Sequence, residues 1–258
     1  IVEDCLVELG GYTGEKPADD EQFLGIFFSN HDSVRVVNNV ISGIDEAIEI
    51  LGNRYGNTGP GDVDAANTRA GITVEGNQIV SSGMPGETWP SSFALLIAGN
   101  LLADFVRVKG NHVTKSGKGW AVGLSGEHLH VVGNTFRFEE QNGIAPLGAV
   151  LIGGFGKLGP YEMGSSLTNS VFSDNIFEGS VVDNGIFFWT GQGDAVRNES
   201  SGNFFDVGDS LAALGARATL FIGKDMHDNT FEGNFKWLQN TKRFITNLLR
   251  ILKVFGPM

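Results

Sequence analysis

Hydrophobic residues in this chain come in short alternating bursts, and the bursts come in pairs. Two neighbouring stretches, Ala94–Gly117 and Trp120–Glu140, show this most clearly. The first reads ALLIAGN and then FVRVKGNHVTKSG; the second reads WAVGLSG and then HLHVVGNTFRFEE. Alternation with a period of two predicts strands with one face turned inward. A paired unit that returns every few tens of residues predicts a solenoid rather than a folded-back sheet. The first strands begin near Gly25, Ala47, Ala94, Trp120, Gly148, Gly185 and Ala218. The second halves centre on Asn39, Asn77, Asn111, Asn134, Asn175, Asn203 and Asn229.

The flanks of these asparagines share a form, strand, tight corner, strand: VRVVNNVISG, ITVEGNQIVSSG, VRVKGNHVTKSG, SVFSDNIFEGS. Asparagine suits such a corner because it tolerates left-handed backbone and its amide bonds nearby backbone. Stacked corners predict a ladder of amides, each bonded to the next. Each unit then holds three strands, with the asparagine between the second and third. The fold class expected is all-β, with one domain over residues 1–235.

After Phe235 the period changes. Trp237, Phe244, Ile245, Leu248, Ile251, Leu252 and Phe255 recur at threes and fours, predicting an amphipathic helix over 236–258. Its polar side carries Lys236, Lys242, Arg243, Arg250 and Lys253 without an acidic residue. A cap or brace on the solenoid is the expected role, since an open stack exposes strand edges. Attachment to a membrane surface ranks below it.

This corner pattern, V-x-G-N-x-[IVF], resembles that of the right-handed parallel β-helix proteins, the pectate-lyase-like superfamily. The resemblance covers nearly the whole chain and implies a right-handed coil of about seven to eight turns. It implies a polysaccharide or other glycan as partner, lying in a groove along the first-strand sheet, and an extracellular or cell-surface setting. The chain lacks the Asn-Thr-Asp and Gly-His-Gly motifs of polygalacturonase-like hydrolases and the arginine-centred signature of pectate lyases. No family within the superfamily is therefore assigned, and glycoside hydrolase and polysaccharide lyase remain alternative reaction types.

Composition narrows the partners. The formal net charge is −12, which disfavours nucleic acid, because phosphate contacts need lysine and arginine. Cys5 is the only cysteine, so no disulfide forms within the chain. No apolar run approaches the length of about 18 residues that a membrane span needs. The start at Ile1 suggests a trimmed product or one module of a longer protein.

Alternation puts Ile26, Phe28, Ile48, Ile50, Leu95, Ile97, Val122 and Leu124 inward. It puts Phe27, Glu49, Leu96, Gly123, Leu151, Phe187, Trp189 and Phe221 outward, on the groove floor. That floor is mostly apolar, with Glu49 as its one expected carboxylate. Catalytic candidates follow from what clusters around Glu49: Asp45 before it, Arg54 after it, and Asp32 with His31 one unit earlier. Hydrolysis of a glycosidic bond needs two carboxyl groups, met by Glu49 with Asp45, Asp32 or Asp62 of the following loop. Elimination needs a base and a neutralised uronate, met by Arg54 with acids holding a metal. Oxygen-rich loops of this kind suit Ca²⁺, and no other cofactor is implied. Substrate-binding candidates are Trp189 and Phe187 on the floor, and His31, Trp89 and Tyr161 from the loops. Glu127 and His128, with His130 on the same side of their sheet, make a second cluster. The alternative function is a non-catalytic structural or adhesive module of a larger surface or tail protein, associating as a homo-oligomer (a trimer) through an apolar sheet face.

Overall fold

Short stacked strands, each returning to the same register one turn later, build the molecule. The computed structural model describes residues 1–8, 24–29, 33–43, 46–51, 71–82, 93–100, 105–117, 119–143, 146, 148–152, 157–158, 161–162, 167–179, 185–189, 195–207, 221–222, 226–228 and 230–232. Among these the regular elements are all strands, arranged in three parallel sheets and one small hairpin. Sheet 1 holds the first strands, among them Leu24–Ser29, Glu46–Leu51, Phe93–Asn100, Trp120–Glu127, Gly148–Ile152, Gly185–Trp189 and Phe221–Ile222. Sheet 2 runs from Val2–Glu3 through Val34–Val37, Ile72–Glu75, Val106–Lys109 and Leu129–Val132 to Thr230–Glu232. Sheet 3 runs from Leu6–Glu8 through Val40–Ser42, Gln78–Ser82, His112–Ser116 and Thr135–Glu139 to Phe204–Val207. The chain visits the sheets in this order on every circuit, which makes it an all-β parallel solenoid. Residues 236–258, expected to be helical, lie outside the described residues.

Register stacks like on like. Ile26, Ile48, Leu95 and Val122 form one column, each no more than 7% exposed. Val34, Ile72, Val106 and Leu129 form another. Each fully buried side chain of this kind contributes on the order of 1.5–3 kcal/mol. Phe136 pairs with Phe177, and their rings stack with centroids 5.1 Å apart and planes 18° from parallel. That separation is set by the strand spacing of about 4.8 Å.

The expected amide ladder is present between sheets 2 and 3. Asn39, Asn77, Asn111, Asn134, Asn175 and Asn203 are all buried, and each Nδ2 of the first five donates to the next Oδ1 at 2.9–3.0 Å. The same Oδ1 also accepts the backbone N–H of the preceding corner, beginning with Cys5 onto Asn39 at 2.9 Å. The residue before each ladder position is left-handed: Asp4, Asn38, Gly76, Gly110, Gly133, Asp174 and Gly202. At Gly110 (φ 62°) an added Cβ would meet nothing within 4 Å, so only backbone strain opposes a side chain. Gly110→Ala should therefore lower stability by about 1–2 kcal/mol. Gly110→Asn should cost less, because Asn38 holds the same conformation (φ 57°). Urea denaturation of the two variants checks the order.

Asn229, expected as the last rung, lies outside the described residues; on either side of it Val196 pairs with His227 and the Thr230 N–H donates to the Asn198 carbonyl, at the corner between sheets 1 and 2. There Ser170 Oγ accepts the Leu129 N–H (3.0 Å) and the Ser170 N–H donates to Asn198 Oδ1 (3.1 Å). The last strand of sheet 1 is also one residue out of the expected alternation. Phe221 pairs with Phe188 and Ile222 with Trp189, so Phe221 shares the register of an inward position.

Candidate functional site on sheet 1

The strand Glu46–Leu51, EAIEIL, carries Glu49 between two core residues. Ile48 and Ile50 are 0% and 1% exposed and pair with Ile26 and Phe28, which leaves Glu49 on the outward side. Its register partners are Phe27 one turn earlier and Leu96 one turn later. Phe27 is 49% exposed, while Leu96 is 4% exposed and Glu49 itself 9%. Glu49 has no hydrogen-bond or ion-pair partner among the described residues. Burial against apolar neighbours, without a compensating charge, pushes its carboxyl up from 4.5 to about 7.

Alternation slips once in this sheet. Ala47 and Ile48, Ala94 and Leu95, and Ala121 and Val122 are consecutive pairs that all enter the core. The small alanines make that local crowding tolerable. As a result, Phe93 and Trp120, which pair with each other, are buried yet stand apart from the interior cluster. A Cβ built on outward Gly123 would lie 2.8 Å from the Phe93 ring and 3.0 Å from Leu96 Cδ1, so Phe93 and Leu96 roof that glycine from outside. Leu24 pairs with Glu46, and the offset that pairs Ile48 with Leu95 carries Glu46 into the Phe93 column. Glu46, 1% exposed, is thus a second carboxylate on the Glu49 strand and toward the same side. It is not among the site residues expected from the sequence. The stacked alanines at a constant place in the repeat were the signal that would have found it.

The other expected site residues fall in several places. Phe187 stands in the Glu49 column, through Leu96, Gly123 and Leu151, four strand steps away or about 19 Å. Trp189 is the last residue of the same strand and pairs with Ile222. Tyr161 belongs to the antiparallel hairpin of Lys157–Leu158 with Tyr161–Glu162, inserted between two strands of sheet 1. Glu127 ends its strand opposite Thr168. His128 is not on a strand: it is an exposed left-handed corner residue (φ 54°) whose carbonyl accepts the Val106 N–H at 3.3 Å. His130 lies in sheet 2, exposed and paired with Arg107. The two histidines thus sit on different elements, and neither lies on the sheet 1 floor. Asp45, Asp32, Asp62, Arg54, His31 and Trp89 lie outside the described residues. Among the described residues no group of three or more His, Cys, Asp or Glu side chains is placed to hold a metal.

A carboxyl group with a pKa near 7 is held half as acid at neutral pH, which suits it both to give and to take a proton. Comparison of the chain with protein-family models, with curated proteins and with solved structures finds no match.

Proposed function

We propose that the chain is a right-handed parallel β-helix of about seven to eight turns, pectate-lyase-like in architecture, that handles a polysaccharide along sheet 1. Right-handedness follows from the strong bias of crossovers between parallel strands. Residues 236–258 form an amphipathic helix that caps or braces the coil, and the setting is extracellular or at the cell surface. The observation that carries the functional reading is the buried carboxyl of Glu49 on the outward side of its strand, without a partner among the described residues. In hydrolysis it gives its proton to the glycosidic oxygen as the bond to the anomeric carbon breaks. Water, activated by a second carboxylate, supplies the hydroxyl; Asp45, Asp32 and Glu46 are the candidates for that role. Ca²⁺ held by the neighbouring acids, with Arg54 as base, belongs to the alternative lyase chemistry.

Removing a general acid costs about 10²–10⁴-fold in rate. Glu49→Gln should therefore abolish reducing-end release from a cleaved polysaccharide, and the wild-type rate should fall as pH rises past about 7, where the donor loses its proton. Unchanged turnover in Glu49→Gln would remove the catalytic reading.

A second reading, a structural or adhesive module that self-associates as a trimer, has one specific support. Leu6 pairs with Val40, Val80 lies beside them on sheet 3, and these are 65%, 40% and 49% exposed. Light scattering of the wild type and of Val40→Arg tests it: a trimer lost in the variant supports association through this face, and a wild-type monomer removes it.

A further inference from the structure

Resting on the reading of residues 236–258 as an amphipathic helix, we infer that this segment straps back along the outer face of sheet 3. That face is open: Leu6, Val40, Val80 and Ile176 are 65%, 40%, 49% and 39% exposed, four of the seven exposed large apolar side chains among the described residues. Leu6, Val40 and Ile176 share one outward column, through Gln78, His112 and Thr135, and Val80 stands in the next. An exposed apolar patch of this kind marks a contact surface. Glu8, Glu139 and Glu178 border it on the same sheet, and only Glu139 has a cationic partner among the described residues, Arg137 at 3.0 Å.

Register fixes where the segment leaves the coil. Thr230 pairs with Glu199 and Glu232 with Ser201. Ser201 runs into the ladder corner Gly202-Asn203, and Glu232 runs into Gly233-Asn234, the same pair at the same place in the circuit. The next sheet in that circuit is sheet 3, beyond Phe204–Val207. There the inward place of Phe136 and Phe177, which register hands on to Phe205, falls to Lys236. A lysine is poorly suited to that place, so the coil stops and the tail departs from the edge of sheet 3. From this edge to Leu6 is seven strand steps, about 34 Å. The 23 residues of 236–258, as a helix, span about 34 Å as well. Along that path Phe244 and Phe255 fall at about 12 and 29 Å, and Ile176 and Val40 at about 10 and 29 Å. Charge agrees with length, since the tail carries five lysines and arginines and no acid. A second copy laid on the same face would instead set these carboxylates against their own kind.

The test uses the full chain with spin labels at Cys5, which is exposed and the only native cysteine, and at Lys253→Cys, and reads their separation by double electron–electron resonance. A strapped tail brings residue 253 near the level of Val40, so the separation should lie below about 25 Å. It should lengthen to about 35 Å or more in Val80→Arg, whose charge repels the basic tail from an already exposed position, with the thermal melt unchanged. A separation of about 35 Å or more without that substitution would place the tail at the far end of the coil, overturning the inference while leaving the helix reading in place. A short separation that vanishes on dilution with unlabelled protein would give the face to a second copy and overturn it too. So would a separation that ignores Val80→Arg in a folded variant. The helix reading has its own readout: single labels at successive positions from Ile245 to Lys253, in Cys5→Ser, should vary in mobility with a period of about 3.6 residues. Uniform mobility would remove the helix and the inference with it.

Discussion

Asn111→Ala should cost the fold about 4 kcal/mol or more, the largest loss expected from one amide. The side chain is fully buried and makes four hydrogen bonds. Its Oδ1 accepts the Asn77 backbone N–H at 3.0 Å and Asn77 Nδ2 at 2.9 Å. Its Nδ2 donates to the Val74 carbonyl at 2.9 Å and to Asn134 Oδ1 at 3.0 Å. Alanine removes all four and leaves two N–H groups of Asn77 without their acceptor in a place water does not reach. Each buried group left unpaired costs about 1–3 kcal/mol, and here the losses fall together. Asn111→Asp separates hydrogen bonding from size. Its second oxygen faces the Val74 carbonyl and Asn134 Oδ1, both acceptors, so the carboxylate is repelled where the amide was held. The aspartate variant should be as damaged as the alanine at pH 7 and partly recovered at pH 4, where a protonated oxygen can donate once more. Guanidinium denaturation monitored by far-UV circular dichroism measures all three. A loss below about 1 kcal/mol for the alanine, the usual value of one exposed hydrogen bond, would show that the ladder is a consequence of the stacking and not a support for it.

The ladder was legible in the sequence because its geometry forces a residue type. A left-handed corner followed by a buried backbone-bonding amide leaves glycine, asparagine or aspartate at the first position and asparagine at the second. The expected seventh rung, Asn229, shares that local pattern, while the strands flanking it pair at another corner. The corner between sheets 1 and 2 also follows a left-handed residue with a buried polar one: Asn169 then Ser170, and Arg197 then Asn198. MHDNTFEG therefore looks like SDNIFEG in local sequence, and only strand pairing tells the corners apart. His128 was misread similarly: a strict period of two through Glu127-His128-Leu129-His130 ignores the left-handed kink at His128 that separates two sheets. Glu46 was hidden because the paired inward residues Ala47 and Ile48 break the alternation once per circuit, in a sheet otherwise regular enough to place Glu49 correctly. What sequence could not supply at all was the environment of Glu49. Its burial depends on packing between successive turns of the coil and beyond its strand, and no periodicity carries that.

That environment makes the second large prediction one of stability as well as chemistry. In the folded chain the Glu49 carboxyl ionises near pH 7, and in the unfolded chain near 4.5. The native state thus holds its proton more tightly than the unfolded state does. Below pH 4.5 both states are protonated and burial carries no charge penalty. As pH rises from 4.5 to 7 the unfolded chain gives up the proton first, so stability falls through that window and stays lower above it. At 1.36 kcal/mol per pKa unit, the full difference approaches about 3 kcal/mol, the small residual exposure of the side chain reducing it somewhat. Glu49→Gln, close in shape and never charged, should therefore match the wild type at pH 4 and exceed it by about 2–3 kcal/mol at pH 8. Denaturant midpoints measured at the two pH values give the comparison directly. A protein that keeps a destabilising carboxylate at such a position is trading stability for something, and at active sites that trade is common. A glutamine variant that is both more stable at pH 8 and inactive on its polysaccharide would identify the trade as catalysis. One whose advantage over the wild type is no larger at pH 8 than at pH 4 would show that the carboxylate is solvated after all, and the proton-donor role would lose its physical basis.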